Sequence, residues 1–171
     1  ERTAPLGFRK TEHRWQVGRY IDRNVLLTKT GVVSPTEVVF FVAHVDAVQS
    51  CPNEDCPGAD DNGTGTVAGM EVARAFADTD FKRTVVLMFS TGEEQGMLGV
   101  KQYVLRQSDE ELGHIVALIN TDMVGYDGDG DRVTELYHDN DPPSKALAET
   151  MCRTIADYRL NLTCRLNSAC G

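Results

Sequence analysis

The stretch Val38-Val39-Phe40-Phe41-Val42-Ala43 is an unbroken apolar run, and it ends at His44. Because apolar and polar residues do not alternate along it, the run predicts a strand buried on both faces, as in a sheet covered by helices. Two similar runs follow, Thr84–Phe89 and Ile115–Ile119. Helical patterns separate these strands, which predicts right-handed crossovers and an α/β fold with a mainly parallel sheet.

Apolar spacing and capping residues predict three helices. The first covers Thr66–Phe76 and is expected to pack through four residues at 3.6-residue spacing: Val67, Met70, Ala73 and Phe76. The second covers Gly96–Arg106. The third begins at Ser144, an expected N-cap after two prolines, and continues to about residue 156.

The N-terminal part is expected to add strands to the sheet. Residues Arg14–Leu27 have the composition of one or two strands, and Asn24–Thr28 and Glu37–Ala43 flank a turn at Gly31 and Pro35. We therefore expect these last two segments to pair as a hairpin. No repeat or linker-like tract interrupts the chain, which predicts a single domain over residues 1–171.

Composition excludes several classes of function. With 17 Lys and Arg against 26 Asp and Glu the formal charge is −9, which argues against nucleic acid or an anionic membrane as a partner. Hydrophobic residues make up 41% of the 171 residues, so wholesale disorder is excluded. No apolar run approaches the ~20 residues that a membrane-spanning helix needs.

The five cysteines favour an oxidising compartment. Their spacing fits neither a C-x-x-C pair nor a zinc finger, so disulfides in a secreted or extracytoplasmic protein are expected. The local pairs would be Cys51–Cys56 and Cys164–Cys170, which leaves Cys152 unpaired. The alternative is a cytosolic enzyme with buried free thiols.

Metal-binding residue types follow all three buried runs. In open α/β sheets, ligands gather at the carboxyl ends of the strands. Here those ends read His44-Val45-Asp46, Ser90–Glu94 and Asn120–Asp122, and an acidic loop, Gly58–Gly65, opens the first helix. So many carboxylates at one edge would repel each other without a cation, and His with carboxylates suits Zn²⁺ best. The supply is sufficient for two ions that share one bridging carboxylate.

The order of these motifs resembles the M28 family of zinc exopeptidases. His-x-Asp at 44–46, Gly-Ala-Asp-Asp-Asn-Gly-Thr-Gly at 58–65, Glu-Glu at 93–94 and Asp-Met at 122–123 follow the family's order and spacing. The resemblance is specific from His44 to Tyr126 and looser from Arg14 to the end. It implies a three-layer α/β/α sandwich around a mixed, mainly parallel sheet. It also implies a zinc-dependent exopeptidase, in particular an aminopeptidase that hydrolyses N-terminal peptide bonds through a metal-activated water.

The resemblance also implies a role for each matching residue. Glu93 would be the general acid and base, and Asp46 would hydrogen-bond His44 and hold its tautomer. Asp61 would bridge the two zinc ions. The implied metal ligands are His44 and Asp122 on the first ion, Glu94 on the second, and Asp61 on both.

One ligand of the family pattern is missing. The family places a further His on the second zinc, well after the Asp-Met motif, and the only His after Asp122 is His138. His138 comes too soon, so we expect it at the surface. The first zinc site is therefore complete and the second is one ligand short. We expect the chain to be the N-terminal portion of a longer catalytic domain.

Other interpretations stay open at this stage. A carboxy-directed or dipeptide exopeptidase of the same superfamily would share these motifs. An inactive pseudopeptidase, with the fold kept as a binding or receptor domain, predicts lost ligands, whereas four expected ligands and Glu93 are present. A branch that uses one zinc, like the glutaminyl cyclases, is disfavoured because both His44 and Asp61 are present. The expected partner is a peptide substrate, and the oligomeric state is left open. The acidic stretch Asp127, Asp129 and Asp131 predicts a simple turn, with weak Ca²⁺ binding as the alternative, because the EF-hand Gly and Glu positions are not matched.

Overall fold

The computed structural model describes residues 7–48 and 57–168. The chain forms two compact units, residues 1–125 and 126–171. Whether they belong to one domain is not tested by this division, so the single domain over residues 1–171 stays a prediction. The first unit contains β1 (Arg9–Val17), β2 (Tyr20–Lys29), β3 (Ser34–His44), α1 (Gly63–Ala75), β4 (Arg83–Ser90), α2 (Leu98–Val104), α3 (Asp109–Gly113) and β5 (Ile115–Asn120). The second contains β6 (Val133–His138), α4 (Pro142–Asp157) and β7 (Thr163–Ser168).

A five-stranded mixed sheet organises the first unit. Its strand order is β1-β2-β4-β3-β5, in which β3, β4 and β5 are parallel while β1 and β2 add an antiparallel side. The prediction of an α/β fold around a mixed sheet is confirmed. His44 pairs with Ser90, and Val42 pairs with Asn120, so the three parallel strands end at the same edge.

The expected hairpin between β2 and β3 is wrong, because β4 lies between them. Every residue of β4 except Arg83 is buried, and a strand of that kind needs a neighbour on each side and a cover on each face. The actual hairpin joins β1 to β2 and turns at Gly18, whose φ of 57° suits glycine.

Helices cover both faces of the sheet. One apolar cluster contains Val85, Leu87 and Phe89 of β4 and packs against α1. The other contains Val86 and Met88 of the same strand and packs against α2. This alternation follows from the pleat of a strand, and it is consistent with the implied three-layer sandwich.

Helix α1 was predicted correctly as an element, and its predicted buried face is right at Ala73 and Phe76, which belong to the core, but wrong at Val67 and Met70. Val67 and Met70 are 57% and 56% exposed, and the buried residues are Gly65, Gly69 and Ala73. A Cβ at Gly69 would lie 2.9 Å from Phe89, so the missing side chain lets the helix approach the sheet closely. Apolar periodicity overlooks such a face because glycine adds nothing to it.

Strand β5 differs from the expectation that both its faces are buried. Its residues alternate between half-buried and exposed, with Val116 at 50% and Leu118 at 53% exposure. In the described residues β5 has β3 as a neighbour on one side only, because it forms the edge of the sheet.

The second unit corrects two further expectations. Helix α4 is capped by Asp141, whose carboxylate accepts the N–H of Ser144, so Ser144 is not the N-cap. Its hydroxyl instead accepts the N–H of Asp139. Prolines fit directly after Asp141 because the first turn of a helix needs no N–H donor there.

The disulfide joins Cys152 of α4 to Cys164 of β7. Two expectations are therefore wrong: that Cys164 pairs with Cys170, and that Cys152 is unpaired. Strand β7 instead brings Cys164 beside the helix. Cys51, Cys56 and Cys170 lie outside the described residues. Within the described part of the chain, no helix has the length and apolar character to cross a membrane.

Asn24 of β2 is fully buried and joins the loop after β4 to α2. Its amide donates to the main-chain oxygen of Gly99 at 2.8 Å, and its side-chain oxygen accepts the N–H of Thr91 at 3.2 Å. Trp15 donates from its indole to the hydroxyl of Thr91 at 3.1 Å. These bonds hold the loop that carries Glu93.

We expect Asn24→Ala to lower the free energy of unfolding by about 2–4 kcal/mol, because two buried main-chain groups lose their partners. Denaturant unfolding of the full-length gene product measures this. Asn161→Ala, at an exposed turn, is the matched control and should change stability by less than about 0.5 kcal/mol. Equal losses in the two variants would contradict the role given to Asn24.

Candidate metal centre

His44, the last residue of β3, lies at the centre of the site. It is 3% exposed, and the hydroxyl of Thr66 in α1 donates to its main-chain oxygen at 3.0 Å. Its Nδ1 lies 3.0 Å from the main-chain oxygen of Asp46, which can only accept, so Nδ1 carries the proton. The lone pair of Nε2 is therefore free to bind a metal ion.

Two carboxylates face that nitrogen. Asp61 Oδ1 lies 3.1 Å and Asp122 Oδ1 lies 3.4 Å from His44 Nε2. Ligand atoms held about 2.0–2.1 Å from a tetrahedral zinc ion lie about 3.3 Å from each other. The three residues are therefore already spaced as ligands of one ion.

The loop that carries Asp61 is held by Asn62, which is 2% exposed and caps α1. The Asn62 side chain accepts the N–H of Gly65 at 3.0 Å and donates to the main-chain oxygen of Thr121 at 2.8 Å. A Cβ at Gly65 would lie 2.5 Å from that same oxygen of Thr121. The Asn-x-x-Gly spacing thus brings this loop against the residue before Asp122.

Glu93 and Glu94 are positioned by Asp46. The two oxygens of the Asp46 carboxylate each accept a main-chain N–H, one from Glu93 and one from Glu94, both at 3.2 Å. The expected hydrogen bond between Asp46 and His44 is present, but it uses the main-chain oxygen, and the Asp46 carboxylate lies 3.7 Å from His44 Nδ1. Asp46 therefore ties the end of β3 to the loop after β4.

The charges of the site favour a cation. Burial alone would lower the pKa of His44, but the Asp122 carboxylate and the main-chain oxygen of Asp46 outweigh it, so the pKa is raised. Burial, with the carboxylates of Asp61 and Glu93, raises the pKa of Glu94. A divalent ion between these groups would act against both shifts, because it favours ionised carboxylates and a neutral imidazole.

Glu94 provides a second observation that a metal fits. Its Oε1 is buried and accepts no hydrogen bond from the described residues. Glu93 and Glu94 also form a group with His44 in which one potential ligand atom from each lies within 4.8 Å of the others. A buried carboxylate oxygen without a partner costs free energy, and a metal ion would satisfy it.

The structure brings together all six residues singled out from the sequence, on the four segments that the strand ends and the acidic loop predicted: His44, Asp46, Asp61, Glu93, Glu94 and Asp122. Their individual roles stay predictions. Sequence reasoning gave no role to Asp60 and Thr64, although both belong to the loop it singled out. It also missed Asn24, because a single polar residue in a strand carries no motif.

The remaining candidates lie in the second unit. His138 ends β6, its Nδ1 lies 2.7 Å from the main-chain oxygen of Asp139, and no group of potential ligands among the described residues includes it. Asp127, Asp129 and Asp131 lie together and are exposed, and each accepts a nearby main-chain N–H, as in a turn. Calcium binding there stays a prediction.

Comparisons with known proteins agree with this geometry. The model of peptidase family M28 matches residues 24–164. A probable zinc metalloprotease of Pyrenophora tritici-repentis is 36% identical over 112 residues, which are 64% of this chain and 23% of that protein. A probable aminopeptidase of Saccharomyces cerevisiae is 32% identical over 114 residues, which are 62% of this chain and 30% of that protein.

A solved structure matches more of the chain. The chain is similar to BSAP, a zinc aminopeptidase from Bacillus subtilis, with a TM-score of 0.72 and 27% identity over 89% of this chain and 36% of that one. The chain thus spans about a quarter to a third of the length of these relatives.

We expect His44→Ala to weaken zinc binding by more than about 100-fold, beyond the 10–100-fold cost typical of residues that only orient a ligand. Competition with a chelator, using the full-length gene product, measures the affinity. His114→Ala is the matched control. His114 directly precedes β5 and Asp122 follows it, so His114 lies at the end of the strand away from the metal centre. Zinc affinity that is equal in the two variants would remove His44 from the metal centre.

Proposed function

Because this chain belongs to peptidase family M28, we propose that it carries the metal centre of a zinc-dependent exopeptidase that acts as an aminopeptidase. The observation that supports this most directly is the approach of Asp61 and Asp122 to within 3.4 Å of His44 Nε2. Carboxylates and an imidazole at this spacing are the donor set of a hydrolytic zinc site.

Each proposed ligand has its own place in the site. His44 and Asp122 would hold the first zinc, Asp61 would be a ligand shared with the second, and Glu94 would hold the second. Bound zinc would supply Lewis-acid polarisation of the scissile carbonyl and would make water acidic enough to lose a proton near neutral pH.

Glu93 is the proposed general acid and base. It takes a proton from the attacking water and delivers that proton to the leaving amine, as one carboxylate can do in sequence. Neighbouring residues on a loop point in different directions, which lets Glu94 ligate while Glu93 faces the substrate. Asp46 supports this division because it fixes both main-chain N–H groups.

Charge favours the amino end of a peptide over its carboxyl end. Five carboxylates surround one imidazole: those of Asp46, Asp61, Glu93, Glu94 and Asp122. Even two divalent ions would leave this set negative. A free N-terminal ammonium is therefore attracted to the site, whereas a C-terminal carboxylate is repelled.

We also propose that the protein works in a secreted or extracytoplasmic setting. The disulfide between Cys152 and Cys164 supports this, because such bonds persist where thiols are not kept reduced.

Replacing Glu93 by Gln should lower kcat by about 10²–10⁴-fold, the usual contribution of a general base, while bound zinc is retained. Elemental analysis and steady-state kinetics on the full-length gene product give the two readouts. Glu71→Gln, on the exposed side of α1, is the matched control and should leave both unchanged. Unchanged turnover in Glu93→Gln would exclude its proposed role.

Peptides with a free N-terminus should be hydrolysed, and the same peptides carrying an N-acetyl group should not. Acetylation removes the positive charge that the acidic site attracts. Product analysis by mass spectrometry, with a C-terminally amidated peptide as the control, separates amino-directed from carboxy-directed cleavage. Hydrolysis of the blocked peptides alone would exclude the aminopeptidase, and no hydrolysis with zinc bound would favour an inactive binding domain.

A further inference from the structure

Two polar side chains that are not proposed ligands join the acidic loop to the segment after β5. The Thr64 hydroxyl accepts the main-chain N–H of Val124 at 3.1 Å, and the Asp60 carboxylate accepts that of Gly125 at 2.9 Å. The same hydroxyl lies 2.9 Å from the main-chain oxygen and 3.0 Å from Oδ1 of Asp60, and shares its proton between them. Asp60 and Thr64 thus act as one unit, which we call the loop clamp.

The loop clamp holds only one side of Asp122, and Asn62 holds the other. Asn62 donates to the main-chain oxygen of Thr121, directly before Asp122, whereas the clamp binds the second and third residues after it. The segment with one proposed ligand is therefore bonded at both ends to the loop that carries Asp61.

Packing cannot fix these two ligands, because their side chains remain accessible. Asp61 is 44% and Asp122 is 40% exposed, whereas His44 is held within the sheet at 3%. Asp61 lies just before α1 and Asp122 just after β5, so neither carboxylate is held within a helix or a strand, and hydrogen bonds of the neighbouring residues help to set their separation from His44. A metal centre needs such supporting contacts to hold its ligands in place.

We propose that Asp60 and Thr64 are positioning residues that hold Asp122 and Asp61 at the spacing the first zinc requires. This inference rests on the proposed function, because it takes the ion from there. Neither Asp60 nor Thr64 belongs to a group of potential metal ligands among the described residues, so the effect of the clamp passes through the position of the Asp122 segment.

Gly125 provides an independent means of disturbing the same contact. A Cβ at Gly125 would lie 2.3 Å from Cγ2 of Thr64 and 3.2 Å from Oδ1 of Asp60. The first distance is too short for two carbon atoms that are not bonded to each other. The variant Gly125→Ala must therefore push the segment away from the clamp. Serine lacks Cγ2, and a serine at position 64 would remove the shortest of these contacts.

The first experiment separates the hydroxyl of Thr64 from its methyl group. Thr64→Val keeps the shape and loses the hydrogen bonds, and should weaken zinc binding by about 10–100-fold. Thr64→Ser keeps the hydroxyl and should stay within about 3-fold of wild type. Zinc affinity is measured by chelator competition on the full-length gene product, and thermal unfolding of the metal-free protein is recorded beside it.

Variants at Asp60 separate hydrogen bonding from charge. Asp60→Ala removes the acceptor for the N–H of Gly125, whereas Asp60→Asn keeps an acceptor and loses the charge. Only Asp60→Ala should therefore lose nearly as much zinc affinity as Thr64→Val. Asp78→Ala, at an exposed carboxylate beyond the end of α1, is the matched control and should bind zinc as wild type does.

Gly125→Ala should also weaken zinc binding, and adding Thr64→Ser should restore part of the affinity. That recovery is not expected if the two positions act independently. The double variant therefore tests the contact between positions 64 and 125 even if Thr64→Val folds poorly.

The outcomes separate this inference from the proposed function. If wild type binds zinc, His44→Ala abolishes binding, and Thr64→Val and Asp60→Ala lose only thermal stability, the positioning role is wrong and the proposed function stands. If wild type does not bind zinc, both are wrong. Weaker zinc binding in Thr64→Val with recovery in the Gly125→Ala and Thr64→Ser double variant supports the loop clamp.

Discussion

Repulsion among carboxylates around one buried imidazole is the constraint on which the rest of the structure depends. One potential ligand atom from each of His44, Asp61 and Asp122 lies within 4.8 Å of the other two. Two like charges about 4 Å apart near a protein surface repel by roughly 4 kcal/mol. Burial raises the pKa of Glu94, and the carboxylates of Asp61 and Glu93 add to that rise. The pKa of His44 is raised against the effect of burial, chiefly by the Asp122 carboxylate and the main-chain oxygen of Asp46. A divalent ion between the carboxylates would offset this repulsion, which explains how they can lie so close together.

The ligands are fixed in two different ways. Strand β3 fixes His44, because the residue is buried and pairs with Ser90 of β4, while Val42, two residues earlier, pairs with Asn120 of β5. The carboxylates lie beyond the strand ends, where no ladder continues, and side chains that bond to the main chain replace it. Asp46 accepts the two N–H groups of the Glu93–Glu94 loop, and Asn62 binds the residue before Asp122. The position of the candidate ligands is therefore held in part by main-chain contacts of Asp46, which is not a proposed ligand, and of Asn62.

The chemistry of this chain could be predicted from its sequence more fully than its packing. Strands and the candidate ligands that follow them can be recognised from short stretches of sequence, because apolar runs and motifs are local patterns. The buried face of α1 was predicted at Ala73 and Phe76, but its glycine part was missed, since Gly69 is buried through a close approach to Phe89 that only the folded sheet defines. The disulfide of Cys152 was missed for a related reason. Its partner Cys164 lies on a strand, β7, that gave no clear signal.

Strand order explains why one incorrect pairing left the predicted site intact. A hairpin of β2 and β3 would have put β2 where β4 lies, and the Glu93–Glu94 loop would then start farther from His44. Because β4 is the direct neighbour of β3, with His44 opposite Ser90, the two strand ends are separated by about the 4.8 Å between adjacent strands. The motifs were placed at one edge because the carboxyl ends of parallel strands lie at the same edge of a sheet. That rule requires only that β3, β4 and β5 be adjacent and parallel. The common edge thus depends on which strands pair in parallel, whereas β1 and β2 act on the site through Trp15 and Asn24, which hold the loop that carries Glu93.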